Sequence, residues 1–128
     1  MTDQSPVSDT FSYSRSGELA AVRSFVRARA LRLGLSPHRA DLLTLAVHEL
    51  AGNTVQHTSG GGRVRMWSDL GSVFCDVVDQ GRERPLGRAM PAPDAVRGRG
   101  LPLVERIGDE VTTWTGPDGT AVRIRLDL

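Results

Sequence analysis

Residues 45–57 read LAVHELAGNTVQH, a segment that combines helical apolar spacing with a polar stripe. Glu49, Asn53 and His57 follow each other at four-residue steps, so a carboxylate, an amide and an imidazole project from one side of an α-helix. Such a stripe is able to hold a metal ion, although an ordinary solvated helix face has the same spacing. The residues that predict the core-facing side of this helix are Leu42, Leu45, Ala46, Leu50 and Val55.

The same helix has recognisable ends. It is predicted to begin at Ser36-Pro37, because a serine cap followed by proline at the first helical position is a typical helix start. It runs to about His57, after which residues 58–62 (TSGGG) end it. A preceding amphipathic helix is predicted over Leu19–Leu33, with Ser16 as its cap and Gly34 as its end.

Alternation of apolar and polar residues predicts the strands. A short edge strand is expected at residues 11–14, and residues 64–67 and 73–79 are expected to form a hairpin. Residues 111–114 and 120–126 flank the turn sequence at 116–119 (GPDG) and predict a second hairpin. Because alternation leaves one face of a sheet solvated, helices should cover the other face. The predicted fold is α/β, a two-layer sandwich of a mixed, mainly antiparallel sheet with helices on one face.

The segment between the two hairpins has a different character. Residues 80–99 contain Gly, Pro and Arg without periodicity, which predicts a long functional loop that closes as a lid over a ligand. A short third helix is predicted from Leu101 to Ile107. We expect one domain over residues 11–128 after a disordered tail over residues 1–10.

Length and composition agree with one soluble domain. The chain has 128 residues, of which 39% are hydrophobic and 24% are charged. Its 16 basic and 15 acidic residues leave a net charge of +1, so no overall field attracts nucleic acid or membrane lipid. Every basic residue is arginine, which excludes a lysine nucleophile. With a single cysteine, Cys75, and neither a membrane span nor a signal peptide recognisable, we expect a cytoplasmic protein.

Two glycine-containing motifs add to the helical stripe. In Asp79-Gln80-Gly81 an acidic residue ends an apolar strand, where its carboxylate can accept a hydrogen bond from an amino group such as that of adenine. Gly98-Arg99-Gly100-Leu101 precedes the predicted third helix and offers backbone N–H groups to a phosphate. Each motif also has a plain alternative, a strand-to-loop exit for the first and a linker before a capped helix for the second.

Taken in chain order, the three motifs resemble the GHKL ATP-binding superfamily, which includes gyrase-type topoisomerases, histidine kinases and mismatch-repair ATPases. The small size, residues 45–57 and the ending GTAVRI at 119–124 resemble most closely the anti-sigma factor serine/threonine kinases of that superfamily. The resemblance covers roughly residues 11 to 127 and implies the Bergerat ATP-binding fold.

The resemblance implies roles for individual residues. Asn53 is similar to the magnesium ligand of the family and Glu49 to its catalytic base. Asp79, with Gly81 beside it, resembles the acid that binds adenine, and Thr120 resembles a threonine near the adenine.

The resemblance also covers the third helix and the end of the second. Gly98 and Gly100 match the glycines that meet the phosphates, and Arg99 and Leu101 belong to the same segment. His57 matches a histidine that is common at this helix end, where a structural role is the favoured interpretation. Glu83 replaces the second glycine of the family's Asp-x-Gly-x-Gly motif, which predicts a weaker grip on the nucleotide.

As a function, the resemblance implies a kinase that uses ATP and Mg²⁺ to phosphorylate an anti-sigma-factor antagonist of the STAS class. A sigma factor would be its second partner, and a homodimer is compatible with the family. The alternative is a module without catalysis that binds a nucleotide and sequesters a transcription regulator. Glu49 favours the enzyme, since binding alone needs Asn53, Asp79 and the glycines but no base.

Overall fold

Antiparallel strands form one open sheet, and two helices pack on one of its faces. This arrangement is seen in a computed structural model that describes residues 9–57, 61–79, 106–116 and 119–128. In chain order the elements are β1 (Asp9–Tyr13), α1 (Leu19–Leu33), α2 (Pro37–His57), β2 (Gly62–Asp69), β3 (Ser72–Asp79), β4 (Glu110–Gly116) and β5 (Gly119–Asp127). The sheet order is β1-β2-β3-β5-β4. The two-layer α/β sandwich is confirmed, and each of these four pairings is antiparallel rather than mixed.

Alternation along the central strands separates a core face from a more exposed face. Val64 and Met66 of β2 are fully buried beneath the helices, while Arg63, Arg65 and Trp67 point to the other face. β3 follows the same rule with buried Val73, Cys75 and Val77. Helix residues that complete this single core cluster are Val22, Val26, Ala30, Ala40, Leu43, Ala46, Val47, Leu50 and Ala51.

The core face of α2 differs from the prediction at one position. Ala46 and Leu50 are buried as predicted, and Leu42 and Val55 are half-buried. Leu45, however, is 48% exposed, whereas Leu43 and Val47 are fully buried. With about 100° between successive helical residues, Leu45 lies about 200° from Leu43 and therefore faces away from the sheet.

Both predicted ends at the α1–α2 junction are confirmed. Gly34 adopts a left-handed backbone with φ of 112°, and its N–H bonds back to the carbonyls of Ala30 and Leu31. The hydroxyl of Ser36 accepts the backbone N–H of Arg39 at 3.2 Å and caps α2.

The predicted cap at Ser16 is wrong. Residues Ser16–Glu18 form a single 3₁₀ turn, and α1 follows it directly. The carboxylate of Glu18 accepts the backbone N–H groups of Ser14 at 2.7 Å and Arg15 at 3.1 Å. These bonds stabilise the charged form and lower the pKa of Glu18 below its ordinary value of 4.5.

The strand boundaries are close to those expected. β1 is an edge strand, but it begins at residue 9 rather than 11 because Asp9 and Thr10 also pair with β2. The β2–β3 hairpin turns through Leu70 and Gly71, both with positive φ (49° and 83°), as a tight two-residue turn requires. The predicted loop at 80–99 and residues 101–105 of the third helix lie outside the described residues, while Arg106 and Ile107 are helical.

Candidate functional site

Helix α2 carries the predicted carboxylate and amide at the margin of its buried face. Glu49 and Asn53 lie one helical turn apart, and both are half-buried. Their position follows from the core residues beside them, since Leu50 and Ala51 are buried and fix the rotation of the helix against β3. The structure therefore confirms that the two side chains share one stripe of the helix.

The sheet brings Asp79 and Thr120 together, although 40 positions of sequence separate them. Asp79 is the last residue of β3, and the register pairs it directly with Thr120 at the start of β5. Asp79 is two positions from buried Val77, and Thr120 is two positions from buried Val122, so both belong to the face that the helices cover. Directly opposed side chains in an antiparallel pair have Cβ atoms about 5 Å apart. The Asp79 carboxylate and the Thr120 hydroxyl therefore lie close together at this end of β3 and β5.

Three further residues extend this row, and sequence reasoning missed them. The register continues from Asp79 to Gly62 on β2 and from Gly62 to Tyr13 on β1. A β-carbon at Gly62 would lie 2.6 Å from the Tyr13 hydroxyl oxygen, so the buried phenol reaches across β2 only because residue 62 has no side chain. On the other side, the hydroxyl oxygens of Thr115 and Thr120 are 3.5 Å apart. The sequence feature that could have revealed this row is Gly62, because a glycine in a strand often marks the close approach of another group.

Arginines of α1 tie this helix to α2 near Glu49. Arg23 Nη1 lies 3.1 Å from Nδ1 of His48, and because arginine has only donors, that imidazole nitrogen is the acceptor. One turn later, Arg27 Nε donates to the Asp41 carboxylate at 2.7 Å. These exposed contacts stabilise the helix pair modestly.

The first turn of α2 is joined to the far edge of the sheet. Arg39 donates to the backbone carbonyl of Asp127 at 2.7 Å and to the carboxylate of Asp109 at 3.3 Å. Asp109 also accepts the backbone N–H of Asp127. The hydroxyl of Ser72, followed by Arg125 and Arg39, lowers the pKa of the Asp127 carboxyl.

The donor set on α2 suits a hard cation that is bound mainly by other oxygens. Among the described residues, no three His, Cys, Asp or Glu side chains form a metal-binding cluster. The amide oxygen of Asn53 and the carboxylate of Glu49 are oxygen ligands, which Mg²⁺ prefers, and Mg²⁺ is commonly held by one or two side chains plus phosphate oxygens and water. The residues present therefore fit a magnesium ion that arrives with a nucleotide.

Several predicted site residues lie outside the described part of the chain. They are Gly81, Gly98, Arg99, Gly100 and Leu101, together with Glu83. His57 is the last residue of α2, but its side chain is not described. Cys75 is fully buried, and burial raises the pKa of its thiol, so it packs in the core as a small hydrophobic residue.

One known protein family matches most of the chain. The model of the histidine kinase-like ATPase domain matches residues 13–126. The chain belongs to this family. This histidine kinase-like ATPase domain contains all the residues that the sequence placed at the site, and the predicted resemblance to the GHKL superfamily is confirmed.

A solved structure shares the fold of this ATPase domain. It is the crystal structure of the RsbU and RsbW domains of Rv1364c from Mycobacterium tuberculosis, with a TM-score of 0.67 and 21% identity. The match covers 98% of the present chain and 33% of the other, so the ATPase domain spans about a third of the length of that chain. No curated protein matches the chain. Within the described residues, neither helix is long and apolar enough to cross a membrane.

Proposed function

We propose that this ATPase domain is an ATP-dependent serine/threonine protein kinase of the anti-sigma factor type. The observation that carries the proposal is the placement of Asp79 opposite Thr120 on the face that α2 covers, with Glu49 and Asn53 on one stripe of that helix. Family membership supports ATP binding. The neighbour that shares the fold includes an RsbW domain, which agrees with the resemblance to anti-sigma factor kinases.

In the proposed complex, Asp79 accepts a hydrogen bond from the exocyclic amino group of adenine, and Thr120 lies beside it. Guanine carries a carbonyl oxygen at the corresponding position, and a carboxylate would repel it. The glycines Gly81, Gly98 and Gly100, with Arg99 and Leu101, complete the proposed phosphate side of the site.

In the proposed reaction, Glu49 accepts the proton of a serine or threonine hydroxyl on the protein substrate. The hydroxyl oxygen forms a bond to the γ-phosphorus of ATP, and the bond to the β,γ-bridging oxygen breaks, so that ADP leaves. Asn53 would hold Mg²⁺, which when bound offsets the charge of the phosphates. The proposed substrate is a STAS-type antagonist, the competing partner is a sigma factor, and the proposed location is the cytoplasm.

The decisive experiment separates chemistry from binding. The purified protein is incubated with Mg²⁺, ATP labelled in its γ-phosphate and the STAS-type antagonist that is encoded nearby. Glu49→Gln should lower the phosphotransfer rate by about 10²–10⁴-fold, because it removes the base, while ATP affinity stays within a few-fold. Asp41→Asn, a carboxylate change on the exposed side of the same helix, is the matched control and should leave both unchanged.

A second arm tests the nucleotide site itself. Asp79→Asn should weaken ATP binding and reduce its advantage over GTP, whereas Asp69→Asn, at the exposed end of β2, should have no effect. If ATP binds but the wild-type protein labels no antagonist, the kinase proposal fails and the binding module that sequesters a regulator replaces it. If Asp79→Asn leaves nucleotide preference intact, the adenine site is wrong.

A further inference from the structure

The sheet has a second face, which the described helices α1 and α2 leave open, and we call it the outer face. Its centre is an aromatic pair, in which the rings of Trp67 and Phe74 stack with centroids 5.2 Å apart at an interplanar angle of 7°. The guanidinium carbons of Arg65 and Arg123 lie 4.7 Å and 5.0 Å from the centroid of the Trp67 ring. Two planar cations are therefore held against one indole.

Asp76 fixes one of these cations. The side chain of Arg123 donates two hydrogen bonds to its carboxylate, at 2.7 Å and 2.9 Å. Asp76 is only 4% exposed although it belongs to the outer face, and its hydrogen bonds raise the pKa of Arg123. The guanidinium is thus oriented before any partner arrives, so little side-chain entropy remains to be lost on binding.

Not every arginine of the outer face has a carboxylate partner. Arg123 is paired with Asp76, and Arg125 is paired with Glu110 and Asp127. Arg63 and Arg65, neighbours on the outer face of β2, have no carboxylate partner within the described residues. Arg65 is held by the Trp67 ring instead. Two unpaired cations therefore flank an apolar centre.

We propose that the outer face docks a segment of a partner protein that carries carboxylate side chains beside apolar ones. Arginine guanidinium groups bind carboxylates in a bidentate manner, and Arg63 and Arg65 have donors to spare. The apolar residues of the segment would lie on Phe74 and Val78, which are half-buried. The charge complementarity selects an acidic segment over a neutral one.

The same charges disfavour two other occupants. A second copy of this chain would present the same face, on which the exposed Asp69 is the one described carboxylate that is not already paired, so Arg63 and Arg65 could not both be neutralised and one would be desolvated without a partner. Nucleic acid binding gains its affinity from many released counterions, and the described residues of the outer face include only two unpaired arginines.

This inference is independent of the proposed function. Asp79 and Thr120 lie on the opposite face of the sheet, so a nucleotide and a docked segment would not compete for the same residues. Loss of kinase activity would leave the docking proposal standing, and the reverse also holds.

The test uses a short synthetic peptide of Glu, Leu and Ser, and a control peptide with every Glu replaced by Gln. Each is titrated into the isotope-labelled full chain while the indole N–H of Trp67 and the Nε–H signals of Arg65 and Arg123 are followed by NMR. The Glu peptide should shift these signals. Arg65→Gln should weaken its binding about tenfold, because one charge-assisted contact is lost. Arg32→Gln, at an exposed position of α1, should bind as the wild type does.

Each other result overturns the proposal. Equal binding of the two peptides would show that carboxylates are not recognised, and unmoved outer-face signals would place binding elsewhere. A single-stranded oligonucleotide of similar length that shifts the same signals at lower concentration would make this a nucleic-acid face. Concentration-dependent broadening of these signals without peptide, together with a dimer in sedimentation, would make it an interface between copies.

Discussion

At the scale of single residues, Gly62 has the tightest surroundings of the candidate site. A β-carbon there would lie 2.5 Å from the carbonyl oxygen of Val78 and 2.6 Å from the Tyr13 hydroxyl oxygen. Because the first of these atoms is backbone, Gly62→Ala should lower the free energy of unfolding by about 1–3 kcal/mol. Urea denaturation measures the change. Gly17→Ala, where a β-carbon meets nothing within 4 Å, is the control, and an equal loss in both variants would contradict the packing argument.

Glu18 allows a prediction about pH. Its pKa is lowered in the fold, so its charged form stabilises the protein above the ordinary value of 4.5, and this contribution is lost as the pH falls through the lowered pKa. Glu18→Gln should therefore lower the melting temperature near neutral pH, and the difference from wild type should shrink in acid. Calorimetry at several pH values measures it. A difference that stays constant with pH would contradict this origin.

Sequence reasoning identified Asp79 and Thr120 as single positions but not the row to which they belong. The row depends on strand register, which sets the partners of Gly62 and Tyr13. The residues next to Gly62 and Tyr13 in the sequence do not determine this register. Leu45 was misplaced for a related reason. A leucine beside the true stripe fits helical spacing almost as well, and only packing against the sheet separates it from Leu43.

At the scale of elements, we expect the ion pair between β3 and β5 to contribute more to the free energy of unfolding than the exposed ion pairs do. Arg123→Gln leaves the buried Asp76 carboxylate without its partner, and we expect a loss of about 2–3 kcal/mol, since the 39% exposure of Arg123 moderates the cost. The control Arg125→Gln breaks pairs with more exposed carboxylates and should cost less than about 1 kcal/mol. Adding Asp76→Asn to Arg123→Gln should recover part of the loss, and strict additivity in this double-mutant cycle would argue against coupling.

The elements were predictable where local chemistry sets them. Gly34, Ser36 and Gly71 each satisfy a backbone requirement that any surrounding fold would impose. Ser16 failed because the Glu18 carboxylate caps the preceding turn instead, and a carboxylate that reaches back over several residues competes with a nearby hydroxyl. The local sequence does not show which of two nearby capping groups will bind the free backbone N–H groups.

At the scale of the whole molecule, nucleotide binding should raise the melting temperature. A ligand that binds only the folded state stabilises it by mass action, so Mg²⁺ and ATP together should raise it more than ATP alone. Asn53→Ala should remove the magnesium-dependent part and leave the rest. Differential scanning fluorimetry measures this, and an identical shift with and without Mg²⁺ in the wild type would contradict the role of Asn53.

The layer arrangement followed from the sequence, but the strand order did not. Alternation predicts that a strand has two faces without saying which strand lies next to it. The two hairpins are local, whereas the pairing of β3 with β5 joins residues on either side of the predicted lid segment. That pairing is what brings Asp79 to Thr120, so the geometry of the candidate site depends on a contact that is not local.

The same pairing has a consequence while the chain is being made on a ribosome. β3 is synthesised well before β5, and until β5 follows, one edge of β3 has unpaired backbone groups. During this interval the carboxylate of Asp76 has no Arg123 beside it. A bare charge on an open edge discourages association with another nascent chain. We therefore expect Asp76, which later forms a buried ion pair, to hinder aggregation of the unfinished sheet.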